Sequence, residues 1–206
     1  GVKHVEKVFS NITSNKLAVF VAFHDKRALP KCNISYIQSL QASGFDVIYV
    51  HNGPLDNSII DQLVRVNVDV ICRVNVGFDC GAWKDVYLNL KKRGILKNLD
   101  WLLFCNDSNL FLGGENGYNF TSRLKDLLRT KEHDLITLNK SYDNCQHYQS
   151  FFLCMSKSIF MSPEFSHFWK QYVPFNHRFY AVNNCEIKLS TNILCNYSAA
   201  IMYDSA

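Results

Sequence analysis

Leu17-Ala18-Val19-Phe20-Val21-Ala22-Phe23 is an unbroken apolar run. A strand with one wet face alternates apolar and polar residues, whereas a strand covered on both faces reads as continuous hydrophobe. The run therefore predicts a central strand with helices above and below it. Working outward, Ile34 to Ala42 has Ile34, Ile37 and Leu40 on one helical face and stops at Gly44. Phe45 to Val50 reads as a second strand, closed by the turn residues Asn52-Gly53-Pro54. Ile59 to Val66 reads as a short helix and Val68 to Val74 as a third strand. Gly81 to Arg93 follows as an amphipathic helix ended by Gly94, and Asp100 to Cys105 as a fourth strand. Strand and helix in alternation mark parallel strands joined by right-handed crossovers.

Open sheets of this kind bind ligands outside the carboxyl ends of their strands. His24-Asp25, His51-Asn52, Asn75 to Gly81 and Asn106-Asp107-Ser108 should then gather at one rim. Beyond residue 110 the alternation loosens. Leu110 to Leu112 reads as a strand, Gly113 to Gly117 as a flexible loop, and Thr121 to Lys131 as a helix capped by Thr121. Leu135 to Leu138 and His147 to Met155 read as strands, Pro163 to Tyr172 as an aromatic-faced helix, and Asn183 to Leu189 as a last helix. This half is expected to pair antiparallel.

Composition narrows the function. The chain has 206 residues, 48% hydrophobic and 19% charged, which argues against disorder, collagen-like repeats and a disulfide-stapled miniprotein. No apolar run approaches the roughly 18–20 residues that span a bilayer. Lys and Arg number 22 against 18 acids, a formal +4 without a basic block, so a nucleic-acid partner is not expected. The first residues lack a secretory pattern and the end is abrupt, so the expectation is a cytoplasmic domain cut from a longer protein. The eight cysteines form no Cys-x-x-Cys pair and are expected to be reduced core residues.

The phosphate-binding Gly-x-x-x-x-Gly-Lys, the dinucleotide Gly-x-Gly-x-x-Gly and the nucleophile-elbow Gly-x-Ser-x-Gly words are absent. What stands out is Asn106-Asp107-Ser108-Asn109 after an apolar strand. Such oxygen donors suit Mg²⁺ or Mn²⁺, and equally form ordinary turns. Within Asn75 to Lys84, Gly77 and Gly81 allow close approach of a ligand. Asp79 can meet ribose hydroxyls or cap a helix, and Lys84 can reach a phosphate. His147 is a candidate metal ligand or sugar contact, and Glu186 a carboxylate for acid–base work or an ordinary helix residue.

Taken in order, Asn75 to Lys84, Leu102 to Ser108, His147 to Phe152, Ser162 to Phe165 and Phe168-Trp169 resemble the rhamnan-synthesis glycosyltransferase family over residues 17–190. More narrowly, they are similar to an N-terminal glycosyltransferase domain of a chlorella-virus multidomain protein, which implies further domains on the same polypeptide. The resemblance implies a GT-A-like α/β fold with a central, mostly parallel sheet, flanking helices and a mixed second half. It implies one domain over 1–206, with 1–112 binding a nucleotide sugar and 113–206 the glycan acceptor. It also implies a divalent cation, Mn²⁺ or Mg²⁺, at an Asp-x-Asp site, which here reads Asp107-Ser108-Asn109 with the second carboxylate missing and His147 as a further ligand. On this reading a base, uracil in a UDP donor, lies against Phe23, His24 and Asp25, with His51 and Asn52 nearby. Asp79 meets the ribose, and a rhamnose- or glucose-type hexose points toward Asp107, His147 and Gln149. Asp143 and Glu186 are the candidate bases, and a retaining course is slightly favoured. Rival readings are a sugar- or nucleotide-binding module without turnover and a nucleotidyltransferase. The latter is disfavoured because Asp25 to Lys31 holds no glycine.

Overall fold

The computed structural model describes residues 9, 12–108, 111, 114–142 and 145–203. Asn109 and Asp143, two of the candidate site residues, lie outside the described residues, as do Leu110 and Leu112 of the strand expected there. The first half runs β1 (Lys16–Ala22), α1 (Lys31–Ala42), β2 (Asp46–His51), α2 (Asn57–Arg65), β3 (Val68–Cys72), α3 (Phe78–Lys92) and β4 (Trp101–Asn106). Each element stands where the alternation places it, with ends shifted by a turn or less. All four strands are parallel, in the order β3-β2-β1-β4.

The apolar run behaves as its composition demands. Leu17, Val19 and Val21 enter one core and Ala18, Phe20 and Ala22 the other, so β1 separates two hydrophobic layers. On one face α3 lays Trp83, Val86, Tyr87 and Leu90 against the sheet, and the Trp83 ring stacks on Phe104 at 5.4 Å. On the opposite face Tyr36, Ile37 and Leu40 of α1 join Ile59 and Leu63 of α2.

The second half contains α4 (Gly114–Thr130), β5 (Leu135–Thr137), β6 (Lys140–Ser141), β7 (His147–Tyr148), β8 (Phe152–Ser156), α5 (Lys157–Phe160) and α6 (Pro163–Gln171). It closes with α7 (Arg178–Ala181), a π-helical turn over Val182–Ile187, α8 (Lys188–Asn192) and β9 (Ala199–Ile201). The full sheet has seven strands, β3-β2-β1-β4-β8-β5-β9. Of these only β8 is reversed: it pairs antiparallel with both β4 and β5, while β5 and β9 are parallel.

Three expectations need correction. The stretch read as a flexible loop opens α4 at Gly114, and Thr121 sits inside that helix rather than capping it. Gly117 and Phe120 carry the buried face of Leu124 and Leu128 one turn earlier, which a glycine without a side chain conceals. The strand expected over 147–155 is two: β7 pairs with β6 in a separate ribbon, and β8 enters the main sheet. The second half is also not simply antiparallel, because β5 and β9 run the same way.

Candidate functional site at the carboxyl rim

The carboxyl ends of β1, β2, β3 and β4 meet at one edge, as the parallel order requires. At the end of β1, Phe23 is 65% exposed and its ring lies over that of His51 at 6.3 Å. His51 is buried; its Nε2 accepts from the His24 N–H at 3.2 Å, so the hydrogen sits on Nδ1, 3.1 Å from the Gly53 carbonyl oxygen. Burial holds the His51 pKa below its ordinary value. His24 turns inward, with Nε2 2.6 Å from the Tyr49 hydroxyl. Asp25 is exposed and doubly hydrogen-bonded by Arg27, which holds its carboxyl well below the usual range.

Beside these loops lies a cavity of about 950 Å³ lined by Phe23, Asn52, Gly53, Pro54, Arg73 and Asn75, among others. Its floor depends on Arg73, a buried guanidinium that sequence reasoning passed over. Arg73 donates to Asn52 Oδ1 at 2.6 Å, to Asp85 Oδ2 at 3.0 Å and to the Val76 carbonyl at 2.9 Å. One signal was legible: a charge directly after the apolar strand Val68 to Cys72. The Asn75 Oδ1 is buried without a hydrogen-bond partner.

The β3–α3 turn is tight for a reason other than a ligand. A Cβ on Gly81 would stand 2.0 Å from the Val76 carbonyl oxygen, and one on Gly77 would stand 2.4 Å from the Pro174 side chain. Gly77 also has φ +77°, and its N–H donates to Asn176 Oδ1 at 2.7 Å. The close approach is thus of the chain to itself.

The end of β4 joins this turn. Asn106 is buried; its amide donates to Asp79 Oδ2 at 2.7 Å, and its Oδ1 accepts from the Ser108 N–H at 3.1 Å. The N-cap position of α3 is Gly77, and Asp79 is the acidic residue of the helix's first turn. Burial pushes the Asp79 pKa up to about 6, helped by the negative charges of Asp107 and Glu186 and opposed by Asn106 and Arg73. Asp107 accepts from the Phe23 N–H at 3.1 Å, and burial raises its pKa too.

The second half delivers Glu186 to the same charge cluster. Its Oε2 accepts from the Ser150 N–H at 2.8 Å and from the Ser150 hydroxyl, while Oε1 lies 3.5 Å from His147 Nε2. The other His147 nitrogen, Nδ1, is 2.9 Å from the Cys145 carbonyl. Where Nδ1 donates to that carbonyl, the Nε2 lone pair is left facing the Glu186 carboxylate. Gln149 follows on the chain, half-buried, with its N–H donating to the Asn139 carbonyl at 3.4 Å. Glu186 lies in the π turn, a distortion that often marks functional positions.

Two expectations are overturned. Lys84 does not face the rim; its ammonium donates to the Tyr172 carbonyl at the end of α6. Cys80 and Cys185 are not reduced core residues but a disulfide, tying the first turn of α3 to the π turn. Six cysteines are free, among them the fully buried Cys105 and Cys154. No group of three His, Cys, Asp or Glu side chains able to hold a metal ion assembles among the described residues. No helix among them is long and apolar enough to cross a membrane.

The fold is that of an α/β protein with a mostly parallel sheet, and the candidate site residues meet at its carboxyl edge. Residues 47–204 match the family described as "Rhamnan synthesis protein F", and the chain belongs to that family. It is 25% identical over 185 residues to the uncharacterized protein y4gN of Sinorhizobium fredii, covering 87% of this chain and 46% of that protein. The chain thus spans about half the length of the curated relative it matches. Among solved structures it is similar to a putative nucleotide-diphospho-sugar transferase from Desulfovibrio desulfuricans (TM-score 0.47, 9% identity, 91% of this chain and 79% of that one). It is also similar to TarS residues 1–349 of S. aureus (TM-score 0.47, 11% identity, 71% and 48%).

Proposed function

We propose that this chain is a GT-A-like glycosyltransferase domain that moves a rhamnose- or glucose-type hexose from a UDP-linked donor to a glycan acceptor. The observation that carries the reading is Glu186: a carboxylate from the second half, held by Ser150 and facing His147, within electrostatic reach of Asp79 at the rim. The 950 Å³ cavity is large enough for a nucleotide. There Phe23 offers a ring face to the base, and the unpartnered Asn75 amide oxygen can accept an N–H from it.

Glu186 acts as base. It takes the proton of the acceptor hydroxyl as that oxygen forms its bond to the anomeric carbon. The carbon–oxygen bond to the diphosphate breaks, and the nucleoside diphosphate leaves with the electron pair. A held carboxylate favours inversion over the retaining course expected when no base was in view. Asp107 fits a divalent cation in the mode where one carboxylate and the donor's phosphates share it, and the cation would neutralise charge on the leaving diphosphate. The likeness to the viral multidomain protein, further domains on the same polypeptide and a cytoplasmic setting belong to the same reading.

The test is donor cleavage, followed as UDP release from UDP-rhamnose and UDP-glucose with Mn²⁺ or with chelator. Glu186→Gln is expected to lower kcat by about 10²–10⁴ while UDP binding holds. Full turnover by a folded Glu186→Gln protein would remove the base assignment. A binding module without turnover is the second reading, motivated by Asn109 standing where the resemblance leads one to expect a second carboxylate. Under that reading UDP binds and neither donor is cleaved.

A further inference from the structure

A second cavity, of about 670 Å³, lies between α6 and the α7–α8 segment. Three rings line it in a row: Phe168 and Tyr172 at 6.2 Å and 11°, then Tyr172 and Tyr180 at 6.3 Å and 29°. Around them stand Glu164, His167, Gln171, Asn184, Lys188 and Asn192, so the one carboxylate is matched by a lysine. Tyr172 is 5% exposed, and its hydroxyl is buried with no hydrogen-bond partner. An unpaired buried hydroxyl carries a penalty that a ligand hydroxyl would remove.

We propose that this cavity binds a pyranose unit of a neutral glycan. A pyranose presents C–H groups on its face and hydroxyls around its edge. Stacked aromatic rings suit the face. Glu164, Gln171 and Asn192 suit the edge, and the Tyr172 hydroxyl joins them once the side chains covering it shift to admit a ligand. The volume falls within the range of about 300–1,000 Å³ typical of small-ligand sites. The π turn links this cavity to the rim, since it carries both Asn184 and Glu186. That the bound sugar is a non-reacting unit of the acceptor rests on the glycosyltransferase reading; that the cavity holds a sugar does not.

The experiment is two-dimensional NMR titration of the protein with methyl α-L-rhamnopyranoside and methyl β-D-glucopyranoside, and separately with UDP. One of the glycosides is expected to shift Tyr172, Tyr180, Asn184 and Asn192 with millimolar affinity. Tyr172→Phe should weaken that binding about tenfold while the unfolding midpoint holds or rises. Asn192→Trp, at an exposed position beside the cavity, should abolish it. UDP should shift Phe23 and Asn75 equally in all three proteins. The proposal is overturned if neither glycoside moves the cavity residues, if shifts are confined to the rim, or if Tyr172→Phe binds as the wild type does. Loss of UDP binding alone would overturn the rim reading and leave the cavity standing.

Discussion

At the scale of single residues, the rim is a problem of unlike charge needs. Asp79 sits where burial raises its pKa to about 6, against an ordinary 3.8. A carboxyl raised in the folded state binds its proton more tightly there than in the unfolded chain. Its ionisation therefore costs stability as pH climbs through that interval, and the cost is complete above it. Asp79→Asn keeps an acceptor for the Asn106 amide and removes the cost. We expect it to be more stable at pH 7 by up to about 3 kcal/mol, with the gain vanishing below about pH 4. Urea denaturation of both proteins at the two pH values measures this, and a gain that persists at the lower value would refute the assignment. Lys84 shows why such residues are hard to place from sequence. It stands five residues after Asp79, and at 3.6 residues per turn that spacing points it to another side of α3.

Elements explain what was legible and what was not. The first half could be read because parallel strands covered on both faces leave long apolar runs, and β1, β2 and β4 are such runs. In the second half β5 and α6 stand where they were expected, but β6, β7 and β9 are two or three residues long, too short to show a period. The Cys80–Cys185 bond spans 105 residues, and connectivity among eight cysteines does not follow from sequence. Removing it by Cys185→Ser should cost about 2–4 kcal/mol, read by denaturation with and without reductant. Alkylation of the protein from cells tests the bond itself, since a reducing cytoplasm would keep it open. At the β3–α3 turn, Gly81→Ala should cost about 3 kcal/mol despite alanine's better helix propensity, because its Cβ meets the Val76 carbonyl. A thermal melt within a few degrees of wild type would show that the turn gives way easily.

For the whole molecule, the candidate site joins residues far apart in sequence, and only closure of the sheet unites them. Asp79, Asn106, Asp107 and Ser150 were visible as words beside strand ends; Arg73 was not, because its role is a set of contacts made across the fold. A ligand at that junction should stabilise both halves together. UDP at about a hundred times its Kd should add about 2.7 kcal/mol to the unfolding free energy, seen as a rise in Tm. A melt that is indifferent to UDP at every concentration would move the nucleotide elsewhere.

The reversed strand β8 has one more consequence. Running against its neighbours, it begins at the edge where they end, and the β6–β7 pair that precedes it stands outside the main sheet. A descendant of this chain can change the length of the connection between β6 and β7 and leave every rung of the ladder in register, so long as His147 and Ser150 stay to hold Glu186. The ribbon is thus free to vary while the edge formed by the parallel strand ends is inherited unchanged.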